Sequence, residues 1–301
     1  AGEPTRNRFS VDLADDTRVG VDVMSLYLQD EIGLSENWQA TIGARFDRFD
    51  IEVDSVPANE RRSRVDEEVS PRLGVIYKPA DNMSLYTSYS QTFLPRSGEQ
   101  FDNINGDRER LDPDTYSNTE VGIKMDFNQA LSWTLAVFEV EKSSPQVADS
   151  DPSTLDIIDS RIRGAEAQVL GSINDRWFVS AGYSYLTGEQ VNRAGATGLR
   201  PIELPRQMAS IWTKYSFTER FAVALGIKHQ DDTFINNANT ALLPAYTRVD
   251  AALYYKVRDD LRLQVHIENL TDTLYFPNAH STHEATVGAP INARLAVIGR
   301  F

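Results

Sequence analysis

From Val21 to the carboxy-terminal Phe301 the apolar residues of this chain recur with a period of two, and no amphipathic stretch with a 3.6-residue period reaches useful length. In Trp38 to Asp47 one parity holds Ala40, Ile42, Ala44 and Phe46, and the other holds Gln39, Thr41, Gly43, Arg45 and Asp47. Val121, Ile123, Met125 and Phe127 oppose Glu120, Gly122, Lys124 and Asp126 in the same way, and Leu261, Leu263, Val265 and Ile267 oppose Arg262, Gln264, His266 and Glu268. Successive strand side chains point to opposite faces, so the pattern predicts an all-β chain with one apolar and one polar face. Trp133 to Glu141 mixes apolar and charged residues in either parity, which leaves its orientation open.

The connections sort into two kinds that alternate along the chain. Short polar turns fall at Ser35–Asn37, Pro79–Asn82, Asn128–Ala130, Asn174–Arg176, Thr218–Glu219 and Arg258–Asp260. Long links rich in Asp, Asn, Ser, Gly and Pro run from Asp54 to Glu67, Pro95 to Thr115, Ser143 to Ser160, Gly188 to Glu203, Asp232 to Pro244 and Thr271 to Pro290. Short turns on one edge and long loops on the other are the pattern of an antiparallel transmembrane β-barrel. Hydrocarbon offers no partner to a backbone N–H or C=O, so a sheet crosses a membrane only by closing on itself, with apolar side chains outward and polar ones in the lumen. Trp38, Tyr77, Phe127, Trp133, Trp177, Phe178, Phe217, Phe221 and Tyr255 lie beside the short turns, where an interfacial aromatic girdle belongs.

Thirteen strand segments are predicted, at 21–34, 38–53, 68–78, 83–94, 116–127, 131–142, 161–173, 177–188, 204–217, 220–231, 245–257, 261–270 and 291–301. Thirteen is odd, and the first strand runs toward a short turn, which places its start outside the cell, so we expect further strands upstream and read Ala1 as an internal cut. The alternating final strand ending on Phe301 looks like a genuine terminus with an outer-membrane sorting signal.

Composition narrows the function. A net charge of −14 argues against a nucleic-acid partner, which would need clustered Lys and Arg. With zero Cys there is no disulfide, thiolate metal site or Cys nucleophile. No G-x-S-x-G, Gly-rich phosphate loop or H-E-x-x-H occurs, so the chain is not expected to be an enzyme, an outer-membrane hydrolase being a weak alternative. Glu139 and Glu141 share a strand face and are read as solvated rather than as a catalytic pair.

Several stretches together resemble the TonB-dependent ferric-siderophore receptors: Ser70–Phe101, Leu111–Phe127, Arg161–Leu186, Leu243–Val257, Ile267–Ala279 and Val287–Phe301. Phe93–Gln100 and Tyr275–His280 are similar to the catecholate-type branch. The resemblance implies a barrel of about twenty-two strands closed by an amino-terminal plug. It implies a ferric siderophore as transported ligand, with no other cofactor, and energy from a TonB complex reached through an amino-terminal region absent from this sequence. It further implies outer-membrane lipid and lipopolysaccharide as surroundings, and a monomer. The chain would then be the carboxy-terminal barrel portion, without plug or first strands.

Such a ligand is flat and often anionic, so aromatic and cationic side chains of the outer loops and upper lumen are the binding candidates: Phe93, Arg96, Phe101, Arg108, Arg110, Phe234, Tyr246, Arg248, Tyr275 and Phe276. The competing reading is loop folding and salt bridging with Asp102, Asp107, Glu109 and Asp112. The acidic net charge would repel an anionic chelate, which leaves a neutral or cationic hydroxamate open. His280, His283 and Glu284 are metal-ligand types, but their loop context predicts no metal site. Arg45 with Asp47, Glu120 with Lys124, Arg248 with Asp250 and Arg262 with Glu268 are expected to satisfy one another in the lumen. Two other architectures stay open on these residues: a passive channel of about fourteen strands, and a soluble β-sandwich or propeller, which would leave the apolar parity exposed to water.

Overall fold

The computed structural model describes residues 17–55, 59–95, 112–128, 130–148, 151–191 and 197–300. The chain forms β1 (Thr17–Gly33), β2 (Trp38–Ser55), β3 (Glu60–Ala80), β4 (Met83–Leu94), β5 (Asp114–Asn128), β6 (Leu131–Ala148), β7 (Asp151–Asn174), β8 (Trp177–Gln190), β9 (Gln207–Ser216), β10 (Phe221–Gln230), β11 (Thr233–Phe234), β12 (Leu242–Leu243), β13 (Tyr246–Arg258), β14 (Leu261–Glu268), β15 (Ala279–Ser281), β16 (Glu284–Ala285) and β17 (Asn292–Gly299). Thirteen of these make one antiparallel sheet in the order β1-β2-β3-β4-β5-β6-β7-β8-β9-β10-β13-β14-β17, and β11–β12 and β15–β16 are small separate hairpins. Every strand of the sheet pairs with its sequence neighbours, as the alternating turns require. A single meander of this length excludes a sandwich of two packed sheets.

The register carries the apolar face through the whole sheet. Residues directly opposite in an antiparallel pair share a side, and Trp38↔Tyr77, Tyr77↔Leu85, Leu85↔Ile123, Ile123↔Leu135, Leu135↔Ala167, Ala167↔Tyr183 and Tyr183↔Ala209 are consecutive partners. Phe221↔Tyr255, Tyr255↔Leu263 and Leu263↔Val297 continue that face to the last strand. The first row climbs from the short turns towards the loops, as it must when strands tilt across a barrel wall. Many of these side chains are exposed, Leu28 at 80%, Leu26 at 72% and Leu295 at 67% among them, which in water would be untenable and in lipid is the requirement.

The apolar band has a defined height. On β8 it runs from Trp177 through Val179, Ala181 and Tyr183 to Tyr185 and then gives way to Thr187 and Glu189, a length close to the roughly nine to eleven residues that cross a bilayer. Strands β2, β3, β6 and β7 continue past it. Their outward positions there are charged and paired: Arg48 with Glu67, Arg61 with Glu52 and Asp54, Arg163 with Glu139, and Arg161 with Glu141 at 2.6 Å. This resolves the mixed pattern of Trp133 to Glu141, where Trp133, Leu135 and Val137 belong to the band and Glu139 and Glu141 stand above it. The two glutamates are ion-paired rather than merely solvated. It also corrects two predicted loops, because most of Asp54–Glu67 and Ser143–Ser160 is strand. Polar composition marks where the chain leaves lipid, which need not be where it leaves the sheet. The links at Asp232–Pro244 and Thr271–Pro290 likewise contain the short hairpins β11–β12 and β15–β16.

At the opposite edge the girdle forms as expected for eight of the nine aromatics. Trp38 stacks on Tyr77 at 4.6 Å between centroids, Phe127 on Trp133 at 6.3 Å, and Phe217 meets Tyr215 at 5.0 Å and Phe221 at 6.0 Å. Phe178 is the exception. It is the neighbour of outward Trp177 and pairs with Lys214, so the pleat turns it to the lumen.

The lumen face carries the polar parity. Asp47, only 4% exposed, accepts from Arg45 Nε at 2.8 Å and from the Ser25 hydroxyl at 2.5 Å. Glu120 is bonded by the Tyr86 hydroxyl, and Lys124 lies over the Tyr86 ring at 5.3 Å, so the expected Glu120–Lys124 pair is bridged by an aromatic instead. Tyr86 fits because its cross-strand partner is Gly122, where an added Cβ would lie 2.4 Å from the ring. Arg262 and Glu268 do not satisfy one another, since six residues of strand separate them by about 20 Å. Glu268 receives the Asn292 amide at 3.4 Å.

Candidate functional site at the outer mouth

Three connections rise from the edge opposite the girdle; polar side chains tie the first two to one another and the third to β13. After β8, buried Gln190 donates through Nε2 to the carbonyls of Arg200 and Asn237, both at 3.2 Å. Asn239, held at a positive φ of 55°, clamps Arg200 from both sides, accepting from its N–H at 2.9 Å and donating to its carbonyl at 2.9 Å. The Arg200 guanidinium lies over the Phe234 ring at 4.6 Å and donates to the Asp232 carboxylate at 2.9 Å and carbonyl at 3.1 Å. Its Nε is buried without a hydrogen-bond partner.

A second cluster stands on β13. Lumen-facing Tyr246 and Arg248 lie two residues apart, and the Tyr275 ring packs on Tyr246 at 4.8 Å. Arg248 donates to the Tyr275 hydroxyl at 3.1 Å and to Asp250 at 2.8 Å, the expected Arg248–Asp250 pair. Tyr246 and Tyr275 are 6% and 7% exposed, so both are part of the packing that holds the guanidinium. Tyr275 can lie there because Gly288 sits against its ring, where a Cβ would come within 2.2 Å.

The third connection, after β14, hangs from Asn269. This residue is 1% exposed at φ 52°, a left-handed conformation that Asn tolerates better than most residues. Its backbone N–H donates to Asp250 at 2.8 Å, its Nδ2 donates to the carbonyls of Thr273 at 2.9 Å and Ala289 at 3.0 Å, and its Oδ1 accepts from Thr273 N–H at 2.9 Å. Asp250 thereby joins the Arg248 cluster to the base of the loop.

Of the predicted binding residues, the structure brings Tyr246, Arg248 and Tyr275 into one cluster and puts Phe234 in another. Phe276 is half-buried beside Tyr275 in sequence. Phe93 stands apart, edge-on to Phe49 at 5.7 Å, on a cleft of about 570 Å³ that Arg45, Asp47 and Arg72 also line. Arg96, Phe101, Arg108 and Arg110 lie outside the described residues. Arg200, Asn239 and Asn269 were missed by sequence reasoning. Asn in a Gly/Pro-poor turn such as Asn269-Leu-Thr-Asp was the available signal for the last of them. The mouth thus presents planar cations against aromatic faces, each partly neutralised by an aspartate. Such an arrangement suits a flat, polar ligand and, among the described residues, contains no nucleophile–base pair.

A tilted sheet with an outward apolar band, an aromatic girdle and polar loops tied over its lumen defines an outer-membrane β-barrel wall. Residues 2–270 match the model of the TonB dependent receptor-like β-barrel, and the chain belongs to that family of outer-membrane receptors and transporters, which are not enzymes. This assignment displaces the passive channel. Among curated proteins the chain is 33% identical to a probable TonB-dependent siderophore receptor, PiuA, of Acinetobacter baumannii, across 92% of this chain and 40% of that protein. It is 29% identical to the ferrioxamine receptor of Yersinia enterocolitica, across 90% of this chain and 39% of the relative. The crystal structure of PiuA superposes with a TM-score of 0.88 at 31% identity, covering 94% of this chain and 44% of that one. The ferric-catecholate import receptor Fiu of Escherichia coli shares the fold, with a TM-score of 0.84 at 20% identity, covering 95% and 45%. The chain therefore spans less than half the length of these relatives.

Proposed function

We propose that this chain forms the carboxy-terminal part of the barrel wall and outer mouth of a receptor that captures a ferric siderophore and imports it with energy from TonB. The observation that carries the reading is the similarity to PiuA along nearly the whole of this chain. The cation–aromatic clusters of the mouth agree with it, because a chelate's planar, electron-rich rim stacks on guanidinium and aromatic planes. The plug, the TonB-contacting segment and the remaining strands belong to polypeptide outside this sequence, and the iron chelate is cargo rather than cofactor. The apolar band meets membrane lipid, and the charged ladders above it stand at the level of the lipopolysaccharide headgroups around a monomeric barrel.

Within the mouth, Arg200 and Phe234 form a ligand-facing pair with Phe276; Phe93 on its separate cleft, and Arg96, Phe101, Arg108 and Arg110 on their residue types alone, are further candidate contacts. Tyr246 and Tyr275 hold Arg248 in place. The catecholate-type stretches favour a catecholate chelate, and the similarity to a ferrioxamine receptor keeps a hydroxamate in the test.

The test is uptake of radiolabelled iron by iron-starved cells that carry the whole receptor, offered catecholate and hydroxamate chelates in turn. One class should be taken up in a TonB-dependent manner and lost on deleting the receptor. Equal uptake without TonB, or no effect of the deletion for either class, overturns the proposal. In the same assay Arg200→Ala should weaken the apparent affinity for the chelate about tenfold, the scale of one charged hydrogen bond. Unchanged uptake in that variant would remove Arg200 from the site.

A further inference from the structure

The loop between β14 and β17 carries a feature that siderophore capture does not use. β15 and β16 form a hairpin whose register pairs Ala279 with Ala285 and Ser281 with Glu284. One residue, His280, is therefore extra on β15, which makes it a β-bulge. A bulge sets two residues against one on the partner strand and re-aims the inserted side chain. His283 occupies the turn that joins the strands. The outcome is that one ligand atom each from His280, His283 and Glu284 lie within 4.8 Å of one another, all on exposed side chains. The hairpin is fixed at its base by the Thr286 N–H donating to the Asn278 carbonyl at 3.0 Å and by the Gly288 N–H donating to the Tyr275 carbonyl at 2.8 Å.

We infer that His280, His283 and Glu284 form a binding site for a borderline divalent transition metal, Zn(II) or Cu(II), at the outer surface of the receptor. Two imidazoles and one carboxylate are the donors such ions prefer, whereas ferric iron selects oxygen. Bonds of about 2.0–2.2 Å would draw the ligand atoms from within 4.8 Å of one another to roughly 3.3 Å apart. Three protein ligands leave a coordination position open to solvent, so a donor atom of an arriving molecule can complete the shell. The inference departs from the expectation of no metal site at these residues. That expectation rested on the loop context, and within that loop a bulged hairpin brings the two histidines together.

This chain has four histidines and zero cysteines, so within it the site has few rivals, and substituting its histidines isolates its contribution in the whole receptor. The whole receptor, purified without a histidine tag, should bind Cu(II) with nitrogen couplings from two imidazoles in its electron paramagnetic resonance spectrum, and Cu(II) should displace Zn(II) bound there, as the stability order of the two ions requires. His280→Ala and His283→Ala should each weaken binding about tenfold or more, and the double variant should lose the two-imidazole spectrum. An unchanged spectrum in the double variant, or no Cu(II) bound at micromolar concentration, overturns the inference. The measurement contains no siderophore, so it stands or falls independently of the uptake experiment.

Discussion

Val265→Arg should sharply reduce the amount of whole receptor assembled in the outer membrane, while Gln264→Arg, one residue away, should assemble at close to the parental level. Val265 lies opposite Leu253 on one side and Leu295 on the other, inside the apolar band of β14. Gln264 pairs with Tyr254 and Ala296 on the polar face. An arginine on the lipid face costs about 2 to 4 kcal/mol at the midplane, and the lumen face imposes no such cost. Domain stabilities run to only about 5 to 15 kcal/mol, so this is a large share. The readout is the fraction of receptor that migrates as folded barrel without heating. Equal assembly of the two variants would mean that the face assignment is wrong, and with it the register argument that extends one face over the whole sheet.

Most of the fold was legible beforehand because the lipid face is written in each strand separately. Parity is a local property, so Ala40, Ile42, Ala44 and Phe46 name the lipid face without any knowledge of their neighbours, and pairing only had to join faces already chosen. Strand ends were less legible. β3 begins at Glu60 and β6 runs to Ala148 through residues that read as loop, because above the membrane the outward face has no reason to be apolar. Interior partners were partly legible. Arg45–Asp47 and Arg248–Asp250 sit two apart on one strand face, the spacing at which two side chains meet, whereas the Tyr86 bridge to Glu120 depends on a cross-strand register that sequence does not display. The mouth was legible in residue type but not in grouping. Tyr246, Arg248 and Tyr275 were each picked out for chemistry, and what brings Tyr275 to the other two is a loop anchored by the buried amide of Asn269, which carries no charge or ring to attract notice.

Asn269→Val should leave the barrel assembled yet open the loop that follows it. Valine is β-branched and is strongly disfavoured at a φ near 52°, a penalty of order 1 to 3 kcal/mol. It also offers neither the amide donors nor the carbonyl acceptor, so the carbonyls of Thr273 and Ala289 and the N–H of Thr273 lose their partner. Thr273 is half-buried and Ala289 exposed, so each lost bond adds about 0.5 to 1.5 kcal/mol rather than a full burial penalty. The sum exceeds what a surface loop has to hold it closed, but little of it reaches the strands, whose ladders end at Glu268 and resume at Asn292. Protease should then cut between Thr271 and Pro290 in the variant and spare the parent, with folded-barrel migration unchanged in both. Tyr275 is held by that loop and in turn holds Arg248, so iron-chelate uptake should fall in parallel. Asn269→Gly relieves the backbone strain without restoring the amide, and its position between parent and Val variant would apportion the loss between conformation and hydrogen bonding. A loop that stays resistant in Asn269→Val would show that its anchorage lies in the Tyr275–Gly288 contact instead.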